Sequence, residues 1–332
     1  MVGIDTVAVV GAGAWGTALA LAAARAGRRV VLYARDPEVV ASIASRRIHP
    51  RFPDIPLDPA IRASSALEDA LAADAVLLAI PAQTLRAVCR ELSGPGAPLL
   101  ICAKGLESAR GVRLSEVAAD ECPGRAVAVL SGPNFAAEIA RGLPAATTLA
   151  CTDAELGRRL AEALSGPGFR VYWTDDLIGV EIGGALKNVL AIAAGMVAGR
   201  GLGENARAAI ITRGLAELGR LGEALGARRE TLAGLAGMGD LVLSATSPTS
   251  RNMACGHAIG SGADPKALRA APGALVEGIF TAGAAVRLAA RHGIEVPISA
   301  AVDAILEGRM TVDAALEALM SRPLRTEAEG SR

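Results

Sequence analysis

Lys187 stands in the run Glu181-Ile182-Gly183-Gly184-Ala185-Leu186-Lys187-Asn188-Val189, where its neighbours are mostly apolar residues or glycine. An ammonium in such surroundings is short of water, so its pKa falls and it can exchange a proton near neutrality. A lysine on an average helix snorkels to solvent instead. Here the glycines permit close approach of a neighbouring backbone, and the run lies beside a change in composition that marks a domain boundary. Asn188 is adjacent but points about 100° away around a helix, which leaves a shared role open. A second cluster, Gly237-Met238-Gly239-Asp240-Leu241, is followed by Ser250-Arg251-Asn252. Ser250 can cap a helix that carries Arg251 and Asn252 in its first turn. A cation there opposes the helix dipole. It makes sense where an anion sits: free N–H groups, a guanidinium and an amide suit a phosphate, although an ordinary cap with solvated polar residues would carry the same letters. The third cluster is Gly11-Ala12-Gly13-Ala14-Trp15-Gly16, a G-x-G-x-x-G turn directly after Val7-Ala8-Val9-Val10. Gly11 permits the tight turn, Gly13 lets the backbone approach a pyrophosphate, and Gly16 allows helix to pack on strand.

These groups need a scaffold, and the first half of the chain supplies alternating strands and helices. Strands are predicted at Val7–Val10, Arg29–Tyr33, Ala75–Ile80, Pro98–Cys102, Ala126–Leu130, Ala145–Ala150 and Arg170–Trp173. Helices are predicted at Ala14–Ala26, Pro37–Arg46, Thr84–Leu92, Leu114–Glu121 and Ala154–Ser165. That alternation implies a doubly wound, mostly parallel sheet. His49 to Pro59, with four prolines, reads as a surface loop. After Asp175 the strand signals nearly vanish. Long helices are expected over 176–197 and 205–225, with shorter ones at 231–235, 251–259, 281–292, 300–307 and 312–320. The expected domains are therefore 1–180 for the sheet and 181–332 for the helices, with a frayed polar tail from Arg322.

The chain has 332 residues, 52% of them apolar, enough for two buried cores. Aromatic residues are only 2%, so packing relies on alanine and glycine. Basic and acidic residues number 34 each with no long basic run, which argues against nucleic acid or an anionic membrane surface as partner. Five cysteines without a C-x-x-C pair read as buried free thiols of a reducing compartment. The N-terminus enters a strand without a signal peptide, and the longest apolar run, Val189 to Ala198, is too short for a bilayer. A cytoplasmic protein with no membrane insertion is expected. His49, His257 and His292 lack ligand spacing with acids or cysteines, so no metal is expected and each reads as a surface or packing residue.

The strand Arg29–Tyr33 ends in Ala34-Arg35-Asp36. Arg35 can hold a 2′-phosphate and stack on adenine, whereas Asp36, followed by Pro37, reads as a helix cap. This favours NADP(H), with NAD(H) usable.

Several longer motifs together carry a resemblance. Ser131-Gly132-Pro133-Asn134-Phe135-Ala136, Gly183 to Val189, Gly201-Leu202-Gly203-Glu204-Asn205 with Ile211-Thr212-Arg213-Gly214, Leu235 to Leu241 and Ser250-Arg251-Asn252 occur in an order that resembles bacterial NAD(P)-dependent glycerol-3-phosphate dehydrogenases from Val7 to about Leu319. The resemblance implies an N-terminal Rossmann-type domain and an all-α C-terminal domain. It implies reversible reduction of dihydroxyacetone phosphate to sn-glycerol 3-phosphate, supplying glycerophospholipid synthesis. By position it makes Lys187 the proton-transferring residue, and it brings Gly132, Asn134, Asp240, Ser250, Arg251 and Asn252 to the substrate. Lys104, in Ala103-Lys104-Gly105-Leu106-Glu107, would touch both ligands, and Arg251 would also border the cofactor. Gly11, Gly13, Ala14, Trp15, Gly16, Arg35, Ala136, Leu275 and Glu277 fall at cofactor positions. The family usually has Ser or Thr where this chain has Asn134, so that contact departs from the pattern. Two other readings share parts of these signals: a two-domain dehydrogenase of a β-hydroxy or 2-keto acid, and a non-catalytic NADP-binding redox sensor. The apolar helical half leaves room for a homodimer.

Overall fold

The computed structural model describes residues 3–270 and 275–323. The tail expected to fray from Arg322 lies almost wholly outside them. The chain forms two compact units, Met1–Ala103 with Leu114–Leu177, and Lys104–Arg113 with Ile178–Arg332.

The first unit is built on an eight-stranded sheet. From one edge the strands run Phe169–Thr174, Ala145–Cys151, Val127–Ser131, Leu99–Ile101, Ala75–Leu78, Thr6–Val10, Arg29–Tyr33 and Ile61–Ser64. Every pairing is parallel except Val127–Ser131 with Ala145–Cys151. Strands covered on both faces read as unbroken apolar runs, and Val7 to Val10 are fully buried. Thr6–Val10 pairs on one side with Arg29–Tyr33 and on the other with Ala75–Leu78, so the order reverses at its carboxyl end. Crevices at such reversals are where open α/β sheets bind ligands.

This unit differs from the sequence expectations in several places. Residues 49–59 are not a surface loop: Ile48–His49 pairs antiparallel with Phe52–Pro56, and His49, Phe52 and Leu57 are buried. The prolines obscure the hairpin because each removes a ladder donor. Ile61–Ser64 adds an edge strand, hidden in the sequence by its single large apolar residue. Asp36 caps the Pro37–Arg46 helix, accepting from the Glu38 N–H at 2.9 Å. All five cysteines are buried, and none is in a disulfide.

The second unit is helical apart from one hairpin, Leu106–Glu107 with Val112–Arg113, among its described residues. Its axis is the helix Leu177–Gly199, buried from Gly179 to Met196. A helix apolar all round belongs in a core or in a membrane. This one has the length and composition to cross a bilayer, because the apolar stretch continues through Lys187, but 89% of its most apolar window is packed inside the protein. Its partner Arg251–Gly260 lies against it backbone to backbone. An added Cβ would come within 2.2 Å of the Met253 carbonyl oxygen at Gly195, 2.1 Å of His257 O at Gly199, and 2.0 Å of Ile192 O at Gly256. Glu217, fully buried on Gly203–Ala224, caps the Pro297–Leu306 helix by accepting from the N–H groups of Ile298 (2.7 Å) and Ser299 (2.9 Å) and the Ser299 hydroxyl (2.6 Å). Burial pushes its carboxyl pKa up.

Candidate active site

In the second unit, Gly183 and Ala236 bring two segments into contact: a Cβ on Gly183 would lie 2.7 Å from the Ala236 carbonyl oxygen. One turn onward on each side stand Lys187 and Asp240. The expected helix at 231–235 is divided, with Arg229–Leu232 ending before a π-helical turn, Leu235–Gly239, and a new helix, Asp240–Thr246, beginning at Asp240. The glycines at 234, 237 and 239 explain the break, since they weaken a regular helix. A Cβ at Gly237 would strike the Leu232 carbonyl at 1.9 Å, so this turn closes only around glycine. The wider turn changes the direction in which the following residue projects.

The result is a buried ion cluster. Lys187 Nζ donates to Asp240 Oδ1 at 2.9 Å and to Ser244 Oγ at 2.7 Å, and Lys104 Nζ donates to Asp240 Oδ2 at 2.6 Å. Asp240 is 1% exposed and Lys187 7%. Burial, helped by the nearby charges of Lys104 and Arg251 and opposed by Asp240, brings the Lys187 ammonium down to about 8. Burial alone would raise the Asp240 carboxyl, but the two ammonium groups outweigh that and hold it below the ordinary carboxylate range. Desolvation and a single shared carboxylate thus leave Lys187 ready to exchange a proton near neutral pH.

An amide chain runs beside the cluster. Asn252 Nδ2 donates to Asn188 Oδ1 at 2.8 Å, Asn188 Nδ2 to the Lys104 carbonyl at 3.1 Å, and the Gly278 N–H to Asn252 Oδ1 at 3.0 Å. Asn188 therefore fixes the Lys104 backbone and orients Asn252. Ser250 caps the Arg251–Gly260 helix, accepting from the Met253 N–H at 3.4 Å. Arg251, exposed at the first position of that helix, makes no ion pair among the described residues. Leu275 is half-buried, and Glu277 opens the Glu277–Arg291 helix, whose N–H at Gly278 is the one held by Asn252.

Ser244 is not among the residues the sequence singles out, and the role left open for Asn188 is filled by this amide chain. Ser244 follows Asp240 by four residues, the spacing that stacks side chains on one helical face. That signal was legible only if Asp240 began a helix, which the glycines disguised.

In the first unit the turn after Thr6–Val10 behaves as its letters suggest. Gly11 has φ +111° and an added Cβ would lie 2.6 Å from the Ala79 carbonyl; at Gly16 it would lie 1.8 Å from Gly11 O. At Gly13 it would meet nothing within 4 Å, so the backbone faces open space there. The Ala14–Arg25 helix begins at this turn with no side-chain cap, which leaves its first N–H groups for an anion. Trp15 is pinned by its indole N–H to the Cys102 carbonyl at 3.0 Å. Arg35, at the end of the second strand, is exposed and unpaired among the described residues. Gly132 and Asn134 follow the strand Val127–Ser131, and Ala136 opens a short helix, Ala136–Arg141, absent from the sequence expectations. Both polar atoms of the Asn134 amide are buried without a partner. Among the described residues, no group of three His, Cys, Asp or Glu side chains is arranged for a metal ion.

This chain is similar to known proteins along almost its entire length. Residues 6–157 match the profile described as NAD-dependent glycerol-3-phosphate dehydrogenase N-terminus, and residues 176–317 match its C-terminus. A glycerol-3-phosphate dehydrogenase [NAD(P)+] of Methylobacterium radiotolerans is 55% identical over 326 residues, covering 97% of this chain and 98% of that protein. One from Rhodospirillum rubrum is 53% identical over 329 residues, covering 98% and 94%. The crystal structure of glycerol-3-phosphate dehydrogenase from Coxiella burnetii superposes with a TM-score of 0.89 at 39% identity, covering 96% of this chain and 99% of that one. Both halves match, and their order and spacing are kept: the chain belongs to the NAD-dependent glycerol-3-phosphate dehydrogenase family.

Proposed function

We propose that this protein is a cytoplasmic enzyme that reduces dihydroxyacetone phosphate to sn-glycerol 3-phosphate, reversibly, with NADPH favoured and NADH usable, for glycerophospholipid synthesis. The observation that carries the substrate class is the charge of the second unit's cluster. Lys104 and Lys187 share the carboxylate of Asp240, and Arg251 lies near enough to lower the Lys187 pKa, so three cations converge where a phosphate dianion would be held. A non-phosphorylated keto acid offers them one negative charge fewer.

The nicotinamide, when bound, supplies the hydride. As the ketone carbon is reduced, negative charge develops on its oxygen, and the Lys187 ammonium stabilises that charge and then gives up its proton. In the reverse direction neutral Lys187 takes the hydroxyl proton. Asp240 and Ser244 hold the ammonium in one place, so little reorganisation is needed at the moment of reaction. Arg251, Asn252 and the N-terminus capped by Ser250 would grip the phosphate, which orients the carbonyl through binding far from it. The orphaned Asn134 amide offers a donor and an acceptor to the substrate, as the Ser or Thr usual at that position offers a hydroxyl. Gly132 keeps the backbone beside it free of a side chain. In the first unit, the turn from Gly11 to Gly16 would hold the pyrophosphate, with Trp15 fixed beside it and Ala136 lining the cofactor, and Arg35 would hold the 2′-phosphate of NADPH. Leu275, Glu277 and Lys104 would border the nicotinamide end.

The test is NADPH oxidation with dihydroxyacetone phosphate beside dihydroxyacetone, repeated with NADH. Turnover is expected only with the phosphorylated ketone, and kcat/KM is expected to be higher with NADPH. Equal rates with both ketones would overturn the substrate class, and a strong preference for NADH would remove the role given to Arg35.

Because the Lys187 ammonium lies at about 8, the two directions should respond oppositely to pH. Reduction needs the protonated lysine, so its kcat/KM falls as pH rises through about 8. Oxidation of sn-glycerol 3-phosphate needs the neutral amine and gains over the same interval. Profiles that are flat or parallel in both directions would exclude Lys187 as the titrating acid.

A further inference from the structure

His49 takes no part in the proposed chemistry, yet it is 1% exposed and reaches the middle of the glycine turn. Its Nε2 lies 2.8 Å from the Ala12 carbonyl oxygen. Its Nδ1 accepts the Arg51 N–H at 3.0 Å, so in the neutral ring the proton is on Nε2 and the ring donates to Ala12. Burial lowers the imidazolium pKa, which favours this neutral form.

The ring is presented by a firm support. Ser42 Oγ donates to the Ile48 carbonyl at 2.9 Å, and the Arg47 guanidinium holds the carbonyls of Ile61 (2.9 Å), Leu57 (3.4 Å) and Asp58. Phe52 packs beside the imidazole, with ring centroids 6.5 Å apart.

The contact matters because of what the next peptide group must do. A trans peptide is planar, so the Ala12 carbonyl and the Gly13 N–H point in opposite directions. That plane turns on ψ of Ala12 and φ of Gly13, and glycine leaves the second nearly unrestrained. Without a partner for the Ala12 oxygen the group can flip and carry the Gly13 N–H away from the open side of the turn.

We propose that His49 is a positioning residue for the cofactor: by holding the Ala12 carbonyl, it keeps the Gly13 N–H aimed at a dinucleotide phosphate. The proposal rests on the reading of this turn as the nucleotide site.

Two amide substitutions separate the two bonds of the ring. The Nε2 amide of a glutamine overlays imidazole Nε2 and can still donate to Ala12. The Oδ1 of an asparagine overlays Nδ1 and can still accept from Arg51, but asparagine cannot reach Ala12. NADPH affinity of the full chain is measured by nucleotide fluorescence without substrate, together with both KM values, kcat and Tm. His49→Asn is expected to raise the Kd and KM for NADPH about fivefold to tenfold, the scale of one lost hydrogen bond. KM for dihydroxyacetone phosphate and kcat should stay within about twofold, and His49→Gln should stay within about twofold throughout. If H49N does not fold, His49→Leu, which fills the ring's apolar space without a donor, takes its place. The proposal is overturned if H49N and its substitute bind NADPH like the wild type. It is also overturned if H49Q loses affinity while H49N keeps it, or if both lose affinity in step with Tm, since the ring would then serve the hairpin alone. A wild-type protein that fails to bind NADPH would instead remove the nucleotide reading itself.

Discussion

Lys187→Ala is expected to lower kcat for dihydroxyacetone phosphate reduction by at least about 100-fold, the scale of a lost general acid. NADPH affinity should change little, because the turn from Gly11 to Gly16 that would hold the pyrophosphate makes no use of the Lys187 side chain. The loss is not expected to come from unfolding. Asp240 keeps Lys104 at 2.6 Å and Ser244 at 3.3 Å, so the truncation does not leave a buried carboxylate alone. Lys187→Arg separates charge from proton transfer. A guanidinium preserves the positive charge but stays protonated beyond pH 12 or so. Activity should therefore remain low in the arginine variant, and the fall in reduction near pH 8 should disappear. Near-normal turnover in a folded Lys187→Ala protein would take this residue out of the mechanism, and with it the reading of the cluster as catalytic.

What the sequence made legible follows from how local each signal is. The strand–glycine turn–helix unit is legible because three glycines, an apolar strand and a helix lie within about twenty residues, and each glycine has a separate steric reason to be there. Asp36 was readable as a cap because Pro37 follows it. The ion cluster could be read only in pieces. Lys187 announced itself by its apolar neighbours, but Asp240 lies 53 positions away and Lys104 is 136 positions from Asp240. Nothing in the linear order says that Lys104–Arg113 packs with the helical unit. Asn188 illustrates the limit of helical-wheel reasoning. It does point away from Lys187, and for that reason it reaches a different neighbour, Asn252. The segment from His49 to Pro59 departs from its surface-loop reading for a related reason. Four nearby prolines signal a loop, whereas the short ladder of the hairpin is reinforced by side chains that donate to carbonyls.

Asp240 should be as sensitive as Lys187, for a different reason. Removing one partner of a buried ionic group leaves the others uncompensated, typically at about 3–5 kcal/mol. Asp240→Ala leaves Lys104 and Lys187 without their shared carboxylate, so a marked fall in Tm is expected together with loss of turnover. Asp240→Asn is the more informative variant, since the amide oxygen can still accept from one ammonium while the negative charge is gone. Asp240 is the group that raises the Lys187 pKa against burial. Without its charge the lysine must lose its proton more easily, so the fall in the reduction profile should move to lower pH by about one unit or more. At neutral pH the reduction should then suffer more than oxidation, because only reduction needs the proton already on the amine. A profile in folded Asp240→Asn that still breaks near pH 8 would mean that something other than this carboxylate sets the proton affinity of Lys187.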